Sequence, residues 1–249
     1  MDISACNLNI VPLRAEASHR SEMVSQVLFG EQFEILEEGS DFTKIKLSDT
    51  KYVGWIQNNQ FGSLVLSGVK TDSIVDLGGA NAISAAKTIN LLHGTTVTGN
   101  SITIGQDTYI IEGAIRETNI GDFNKEFPKL IQHYKDTPYM WGGRSRYGID
   151  CSGFSQLIYK HFGIALLRDA YQQAESGQSV DFLPEILPGD LAFFDNEAGK
   201  ITHVGVMIDH ETIIHAAGRV RIDKMDNQGI FNTELNRYTH NLRIVKRYF

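Results

Sequence analysis

The 249-residue sequence predicts an α+β protein in which two small β-domains precede a domain that sets a cysteine-bearing helix against an antiparallel sheet. Three observations predict this fold: short alternating runs up to about residue 117, helical apolar spacing after Cys151, and later strand patterns that carry histidines. One helix followed by an antiparallel sheet is an α+β arrangement. The predicted domains are residues 1–60, 61–117 and 118–249.

The first half of the chain is predicted to consist of short strands. Apolar and polar residues alternate in several runs, and polar turns separate the runs, as in small barrels. The runs lie at residues 33–35, 45–47 and 52–56, and then at 95–97, 102–104 and 108–115. Between the two sets, residues 80–92 are predicted to form one short helix. We therefore expect two small β-domains in tandem.

The rest of the chain is predicted to contain two helices and a sheet. Residues 123–134 place their apolar side chains on one helix face, with Pro128 in or near the first turn. A second helix begins at Cys151, and Gly163 stands where a C-cap glycine is expected. Asp190 is interpreted as a structural turn residue. The predicted strands are residues 191–194, 204–208, 212–215 and 244–249.

Composition and charge exclude several classes of partner. The formal net charge is −7, whereas binding to nucleic acid or to an anionic membrane requires clustered Lys and Arg. No run approaches the roughly 20 apolar residues that span a bilayer. The first residues contain no basic region and no apolar run. We therefore expect a cytoplasmic protein, or a secreted or periplasmic one if a leader has been removed.

The two cysteines, Cys6 and Cys151, are too few for a disulfide framework. No CxxC or HExxH spacing occurs, so we expect no structural zinc site, and we expect Cys6 to be inert. Cys151 stands in Asp150-Cys151-Ser152-Gly153 at a helix start. There the helix dipole stabilises a thiolate, and unpaired N–H groups can receive an oxyanion. This setting favours a nucleophile over the alternative, a buried cysteine that only packs.

Two histidines stand on strand patterns further along the chain. His203 opens one apolar strand, His215 closes the next, and residues 209–211 form a tight turn between them. In such a hairpin the two histidines lie near one another across the strand pair. A cysteine nucleophile needs a base, and that base needs an orienting partner. The pair therefore supplies candidates for both, the alternative being histidines that only pack in a core.

Five motifs follow one another between residues 139 and 216. They are Tyr139-Met140-Trp141-Gly142-Gly143, Asp150-Cys151-Ser152-Gly153-Phe154, Leu187-Pro188-Gly189-Asp190-Leu191, His203-Val204-Gly205 and Ile213-Ile214-His215-Ala216. In type and order they resemble the NlpC-type family of papain-like peptidoglycan peptidases. The resemblance implies a papain-like domain with Cys151 as nucleophile, His203 as general base and His215 as orienting residue. It also implies that Tyr139 lies beside the cysteine, where it positions substrate or stabilises the oxyanion.

A further segment narrows the predicted substrate. Arg168-Asp169-Ala170-Tyr171-Gln172-Gln173 resembles a segment of the γ-D-glutamyl-L-diamino acid endopeptidases, also called dipeptidyl-peptidase VI. The resemblance implies that Asp169 and Ser152 hold the free amino end of L-Ala-γ-D-Glu, with Asp150 also lining the site. An ammonium group calls for a carboxylate, which agrees with this role. The alternative is that Arg168 and Asp169 are a surface pair in a loop.

The N-terminal half resembles the bacterial SH3-like domains of these enzymes. The resemblance lies in residues 9–16, 21–30 and 52–56, whereas residues 61–117 match a second such domain by position only. It implies that the first domain closes one end of the catalytic cleft and contributes Glu22 and Tyr52. The alternative is a solvated glutamate and an ordinary barrel aromatic.

Three functions remain open from the sequence. The first is hydrolysis, without metal or cofactor, of the γ-D-glutamyl–L-diamino acid bond of free murein peptides with an unblocked N-terminal L-Ala, in cell-wall peptide recycling. The second is a non-catalytic wall-peptide binding protein. The third is a secreted peptidoglycan hydrolase that acts on polymeric wall. The expected partner is a small murein peptide, and the sequence does not discriminate diaminopimelate from lysine.

Overall fold

The structure, a computed structural model, describes residues 3–65 and 73–249. The chain divides into two compact units. The first unit contains the described residues up to Phe123 together with Lys160–Ala165, and the second contains Asn124–Tyr159 and Leu166–Phe249. The predicted domain boundaries at residues 60 and 117 stay a prediction. Among the described residues, no helix has the length and apolar character that a membrane span requires.

The described part of the first unit contains a twelve-stranded antiparallel sheet. The strands are β1 (Ser4–Cys6), β2 (Ile10–Arg14), β3 (Met23–Leu28), β4 (Gln32–Glu38), β5 (Phe42–Leu47), β6 (Val53–Gln57), β7 (Phe61–Val65), β8 (Ser73–Ile83), β9 (Thr88–Leu91), β10 (Thr96–Val97), β11 (Ser101–Ile104) and β12 (Asp107–Glu117). Their order is β10-β8-β12-β11-β7-β1-β4-β5-β6-β2-β3, with β9 paired to β8. The predicted runs of alternating residues correspond to strands β4–β6 and β10–β12, and the runs at 52–56 and 95–97 each begin one residue before their strand.

Two hydrophobic cores lie among these strands, because alternate side chains of each strand point inward. The first core consists of Cys6, Val11, Leu13, Val27, Phe33, Ile45, Leu47 and Ile56. The second includes Phe29, Val75, Ala82, Leu91, Ile104 and Tyr109. Cys6 is fully buried in the first core, and burial raises the pKa of its thiol to about 12. Its inertness stays a prediction.

The predicted helix over residues 80–92 is wrong. β8 and β9 form a hairpin instead, in which Ala80 pairs with Leu91 and Ala82 pairs with Ile89. All four side chains are buried in the second core. Burial therefore alternates with the period of a strand, and packing overrides the helix propensity of the alanines.

The second unit combines short helices with a seven-stranded antiparallel sheet. The helices are α1 (Phe123–Tyr134), α2 (Cys151–His161) and α3 (Ala170–Ala174). The strands of this sheet are β15 (Gln178–Val180), β16 (Leu191–Asp195), β17 (Ile201–Asp209), β18 (Thr212–Ala217), β19 (Arg219–Met225), β20 (Gly229–Asn232) and β21 (Arg237–Arg247). Their order is β15-β21-β16-β17-β18-β19-β20, and β20 also pairs with β21. A separate two-stranded ribbon, β13 (Arg144–Ser145) with β14 (Gly148–Ile149), precedes α2.

Both predicted helices of this half of the chain are confirmed, as are the predicted strands 191–194, 204–208 and 212–215, whereas the strand predicted for residues 244–249 ends at Arg247. α2 begins at Cys151, and Gly163 has a φ of 86°, the left-handed conformation of a C-cap glycine. Pro128 lies in the second turn of α1 rather than the first, because the helix already begins at Phe123. The predicted turn after Asp209 joins β17 to β18.

The register of β17, β18 and β19 places polar side chains in a diagonal line. His215 of β18 is paired with Gly205 of β17 and with Arg221 of β19. His203 lies two residues from the first of these partners, and Asp223 lies two residues from the second. Because residues two apart share a face of a sheet, all three side chains lie on one face.

Asp190 is a structural turn residue, as predicted. Its Oδ2 accepts the Leu187 N–H at 2.8 Å, and the guanidinium of Arg247 donates to both carboxylate oxygens, at 2.8 and 2.7 Å. The carboxylate is buried whereas the arginine is partly exposed. This pair ties the start of β16 to the end of β21.

The buried pair gives a prediction for stability. Asp190→Ala should lower the free energy of unfolding by about 3 kcal/mol, because it strands the Arg247 charge and the Leu187 N–H. Arg243→Ala is the matched control, since it removes a largely exposed partner 3.9 Å from Asp195 and should cost less than about 1 kcal/mol. Urea unfolding measures both. Equal losses for the two variants would contradict the structural role of Asp190.

Candidate active site

The helix α2 begins at Cys151 because Asp150 caps it. Oδ1 of Asp150 accepts the Gly153 N–H at 2.7 Å, and its backbone carbonyl accepts the Phe154 N–H at 2.9 Å. A side chain at Gly153 would collide with the carbonyl of Gly143, since its Cβ would lie 2.3 Å from that oxygen. The Asp-Cys-Ser-Gly sequence thus sets Cys151 in the first turn, where the N–H groups have no helical partner.

The carboxylate of Asp150 is fully engaged within the protein. Besides the Gly153 N–H, it accepts the Gly142 N–H on Oδ2 at 2.9 Å. Arg168 donates to both oxygens, with Nη1 3.1 Å from Oδ1 and Nη2 2.5 Å from Oδ2. These bonds use the acceptor positions of Asp150 and neutralise its charge. The carboxylate holds the helix start and the preceding loop together, and its predicted place in the lining of the substrate site stays a prediction.

Ser152 belongs to the same buried network. Nη1 of Arg168 donates to the Ser152 hydroxyl at 2.8 Å, and that hydroxyl donates to Asp150 at 3.4 Å. Gln173 bonds the Ser152 carbonyl at 3.2 Å and the Leu167 carbonyl at 2.8 Å. Arg168 is therefore a buried bracket between α2 and the segment before α3. The alternative of an exposed loop pair does not apply to it.

The sulfur of Cys151 lies beside the strand that carries His203. It receives hydrogen bonds from the backbone N–H groups of Val204 and Ser152, and Val204 directly follows His203. Burial, and then the charge of Asp150, raise the pKa of the thiol to about 12. The sequence predicted that the helix start lowers the pKa of Cys151, and for the resting thiol this prediction is wrong. The N–H groups and Arg168 do act in that direction, but burial outweighs them.

His203, His215 and Asp223 form a hydrogen-bonded chain across three strands. Nε2 of His203 lies 2.9 Å from Nδ1 of His215, and Nε2 of His215 lies 3.1 Å from Oδ2 of Asp223. Burial lowers the pKa of His203 well below 6.5, and it also lowers that of His215 although Asp223 partly offsets it. Both imidazoles are therefore neutral at pH 7. The predicted proximity of the two histidines is confirmed.

Asp223 is a site residue that the sequence reasoning missed. The available signal was Gly218, which has a φ of 71° and turns β18 into β19. A hairpin around this glycine pairs His215 with Arg221 and thus brings residue 223 to the same face. Arg221 donates a hydrogen bond to each carboxylate oxygen of Asp223, at 2.7 and 3.0 Å.

His240 was also missed, and it stacks on His203. The two ring centroids lie 4.1 Å apart with an angle of 26° between the planes. Burial, and then His215, lower the pKa of His240 to about 4, so it adds no positive charge beside His203 at neutral pH. One nitrogen from each of His203, His215 and His240 lies within 4.8 Å of the others. Ligands of one metal ion need lone pairs that converge on a point. The rings of His203 and His240 are nearly parallel, so the lone pairs in their planes point side by side and do not converge.

Tyr139 lies close to the start of α2. It forms a bridge with Ile149, two residues before Cys151, and its backbone N–H donates to the Gly218 carbonyl at 3.0 Å. Burial, and then the nearby Cys151 and Asp150, raise the pKa of its hydroxyl. The phenol therefore stays protonated, so it can donate a hydrogen bond to an anion formed at the cysteine.

Three predicted substrate-binding residues remain, namely Asp169, Glu22 and Tyr52. Asp169 is half-buried and precedes α3, where it forms a capping box with Gln172; its N–H donates to Oε1 of Gln172 at 3.0 Å. Glu22 is exposed just before β3, and Tyr52 packs on the first core of the other unit. Contact of Asp169, Glu22 or Tyr52 with a substrate stays a prediction.

Comparison with known proteins identifies the family. The profile of the NlpC/P60 family matches residues 136–238, and that of the bacterial dipeptidyl-peptidase SH3 domain matches residues 13–61. The chain is 31% identical over 159 residues to murein DD-endopeptidase MepS/murein LD-carboxypeptidase of Escherichia coli (strain K12), an alignment that covers 61% of this chain and 79% of the relative. The chain belongs to the NlpC/P60 family of cysteine peptidases.

Two further similarities bear on the fold and the site. The chain is 44% identical over 81 residues to the γ-D-glutamyl-L-lysine dipeptidyl-peptidase of Bacillus subtilis (strain 168), but this alignment covers only 32% of the chain and 27% of the relative. The crystal structure of an NlpC/P60 family protein from Bacillus cereus covers 99% of both chains with a TM-score of 0.73 and 18% identity. The predicted fold class, a papain-like domain preceded by SH3-like β-structure, is confirmed.

The electrostatics of the site predict how alkylation of Cys151 depends on His203. In the wild type, the rate of reaction with iodoacetamide should fall in acid only below pH 6.5, because the pKa of His203 is lowered. In His203→Ala the rate at pH 7 should fall at least about tenfold. It should then rise with pH beyond about 8.5, because the pKa of the thiol is raised.

Peptide mass spectrometry measures the modification of Cys151. Cys6 is the internal control, since it is fully buried and should stay unmodified in the folded protein. A His203→Ala variant that reacts at the wild-type rate at pH 7 would show that the sulfur does not depend on this imidazole.

Proposed function

We propose that this protein hydrolyses the γ-D-glutamyl–L-diamino acid bond of free murein peptides that carry an unblocked N-terminal L-Ala. The observation that carries the proposal is the setting of Cys151: its sulfur lies at a helix start, beside the strand that bears the linked imidazoles of His203 and His215. A thiol, an acceptor imidazole and a group that orients the imidazole are the parts that nucleophilic acyl transfer requires.

The proton route follows from the resting charges. Burial opposes a lone thiolate and a lone imidazolium, so the thiol proton passes to His203 as the sulfur attacks the γ-carbonyl. The C–N bond breaks when His203 returns this proton to the leaving amine of the diamino acid. Water then gives a proton to His203 and attacks the thioester, which releases L-Ala-D-Glu and restores the thiol.

The oxyanion of each tetrahedral intermediate needs hydrogen-bond donors. The first turn of α2 offers backbone N–H groups next to the sulfur, and the protonated Tyr139 hydroxyl offers another. Removal of one such donor typically costs about 100-fold or more in rate. No metal is needed for this chemistry.

The amine-binding role falls to Asp169 and Ser152 within the proposal. Because Arg168 neutralises Asp150, the carboxylate of Asp169 is the better partner for the ammonium of L-Ala. The Ser152 hydroxyl directs its proton to Asp150 and keeps acceptor capacity for an ammonium proton.

The comparisons support this substrate class. A relative with 44% identity over the aligned part is named a γ-D-glutamyl-L-lysine dipeptidyl-peptidase, and the matching SH3 domain is described from bacterial dipeptidyl-peptidases. A pocket for a free ammonium favours peptides already released from the wall. We therefore place the reaction in cell-wall peptide recycling in the cytoplasm.

A second candidate function is cleavage of polymeric murein outside the cytoplasm. The relative named murein DD-endopeptidase MepS supports it, because the alignment covers 79% of that protein. In polymeric wall the amino end of the stem peptide is blocked. A carboxylate-lined amine pocket would therefore gain nothing from such a substrate.

Activity on defined substrates tests the function. The wild type should release the diamino acid from free L-Ala-γ-D-Glu-diamino acid tripeptide and leave intact sacculi uncut, and Cys151→Ala should abolish release without changing the circular dichroism. Cys6→Ala is the matched cysteine control and should retain full activity. Mass spectrometry of the products reads each reaction. Cleavage of sacculi would favour the polymeric alternative, and absence of all turnover would favour a non-catalytic binding protein.

The proposed amine pocket predicts the behaviour of Asp169→Asn. This variant should raise KM for the free tripeptide about tenfold or more, since it removes a charge-assisted hydrogen bond to the ammonium. With N-acetylated tripeptide the variant and the wild type should be equally poor. Glu175→Gln is a control at the opposite end of α3. Equal losses with free and acetylated substrates would reject the role of Asp169.

A further inference from the structure

The two imidazoles of the site are linked to a carboxylate that is held in one charge state. Arg221 donates Nε to Oδ2 of Asp223 at 2.7 Å and Nη2 to Oδ1 at 3.0 Å. Burial opposes ionisation of Asp223, but the hydrogen bonds from His215 and Arg221 outweigh it and lower the pKa. Asp223 is therefore an ionised carboxylate, which can only accept hydrogen bonds.

This charge state determines where each ring carries its proton. Because Asp223 only accepts, Nε2 of His215 must carry the proton of the 3.1 Å bond. A neutral imidazole has one N–H, so Nδ1 of His215 is an acceptor. The 2.9 Å bond between the rings is then donated by Nε2 of His203. Nδ1 of His203 is left as the basic nitrogen of the ring.

We propose that Asp223 is a positioning residue that, through His215, fixes His203 in the tautomer whose Nδ1 accepts the proton of the Cys151 thiol. The inference rests on the proposed function, since it concerns the same proton transfer. With the opposite tautomer, Nδ1 of His203 would carry a hydrogen and could not take the thiol proton. Asp223 acts through the ring of His215, which lies between its carboxylate and His203.

The same chain stabilises the charge that forms during attack. When Nδ1 of His203 takes the proton, the resulting imidazolium donates its Nε2–H to His215, and His215 donates to the negative Asp223. No proton needs to move beyond His203, because Arg221 keeps Asp223 from becoming a base. The carboxylate of Asp223 thus favours the charged form of His203 through the intervening ring of His215. A hydrogen-bond partner behind a metal-ligating histidine tunes that ligand in the same way.

A double-mutant cycle separates this role from mere support of the fold. Asp223→Asn removes the negative charge and allows the amide to present N–H groups to His215, so the tautomer is no longer fixed. We expect kcat on the free tripeptide and the alkylation rate of Cys151 at pH 7 to fall about 10- to 100-fold, with KM little changed. In a His215→Asn background, Asp223→Asn should change either rate less than about twofold, since the link is already cut.

Glu234→Gln is the matched control for the charge network. Glu234 accepts from Nη1 of Arg221 at 2.8 Å and from Arg219 at 2.6 Å, whereas Asp223 is bonded by Nε and Nη2 of Arg221, so this variant perturbs the network but leaves the Asp223–His215 bond. It should retain the wild-type rates. If Glu234→Gln loses as much as Asp223→Asn, or if the Asp223→Asn loss persists in the His215→Asn background, the inference is overturned.

A direct measurement needs no variant of Asp223. In ¹⁵N-histidine-labelled wild type at pH 7, the imidazole nitrogen shifts of His203 should show protonated Nε2 and bare Nδ1; the His203→Gln spectrum assigns the signals. A protonated Nδ1 would overturn the inference even if Asp223→Asn fails to fold. Because alkylation and nitrogen shifts require no substrate, they test Asp223 even if the tripeptide is not hydrolysed, which is the outcome that would sink the proposed function alone.

Discussion

The site depends on one constraint of the sheet, the antiparallel register of β17, β18 and β19. Each strand contributes one polar side chain, and each is displaced by two residues from the directly paired position on its neighbour. Because of this displacement, the side chains of His203, His215 and Asp223 lie in a diagonal line, joined by hydrogen bonds of 2.9 and 3.1 Å. A slip of one residue between two strands would move one member to the opposite face and break the line. The register is therefore as important to the chemistry as the residue types.

A second constraint fixes the cysteine itself. Cys151 gains its position from Asp150, whose carboxylate joins the helix start, the Gly142 loop and Arg168. Arg168 in turn holds the Ser152 hydroxyl, so the segment that ends in Asp169 is anchored to the first turn of α2. A buried ion pair brings little net stability by itself, but loss of either partner leaves an unpaired charge. The pair therefore acts mainly by fixing geometry, and it connects Cys151 to the proposed amine pocket.

Much of the fold and of the central site could be predicted from the sequence because local patterns decide them. Helical apolar spacing after Cys151 placed this residue at a helix start, and the 209–211 turn brought His203 to His215. The 80–92 segment failed because its alanines suit either structure, and the burial that decides between them comes from distant strands. Asp223 and His240 were missed for a related reason. Their roles arise from pairing across strands, which spacing along the chain does not show unless each turn is recognised.

Asp150 shows what residue type alone does not reveal. A carboxylate next to a nucleophile is a natural candidate for binding an ammonium, and its distance along the chain from Arg168 conceals their pairing. The fold shows that five hydrogen bonds are donated to it. The pairing with Arg168 was therefore not predictable from the motif, and contact of Asp150 with a substrate stays a prediction.

Burial sets the energetic problem that the rest of the site answers. Removal from water raises the pKa of Cys151 and lowers that of His203, so the charge-separated pair is disfavoured before substrate arrives. The N–H groups of Val204 and Ser152 favour negative charge on the sulfur, and the His215–Asp223 chain favours positive charge on the imidazole. The N–H groups alone would stabilise a thiolate without an imidazolium beside it, and the His215–Asp223 chain alone would stabilise an imidazolium without a thiolate. Together they favour both charges at the moment of proton transfer, which is when stabilisation accelerates a reaction.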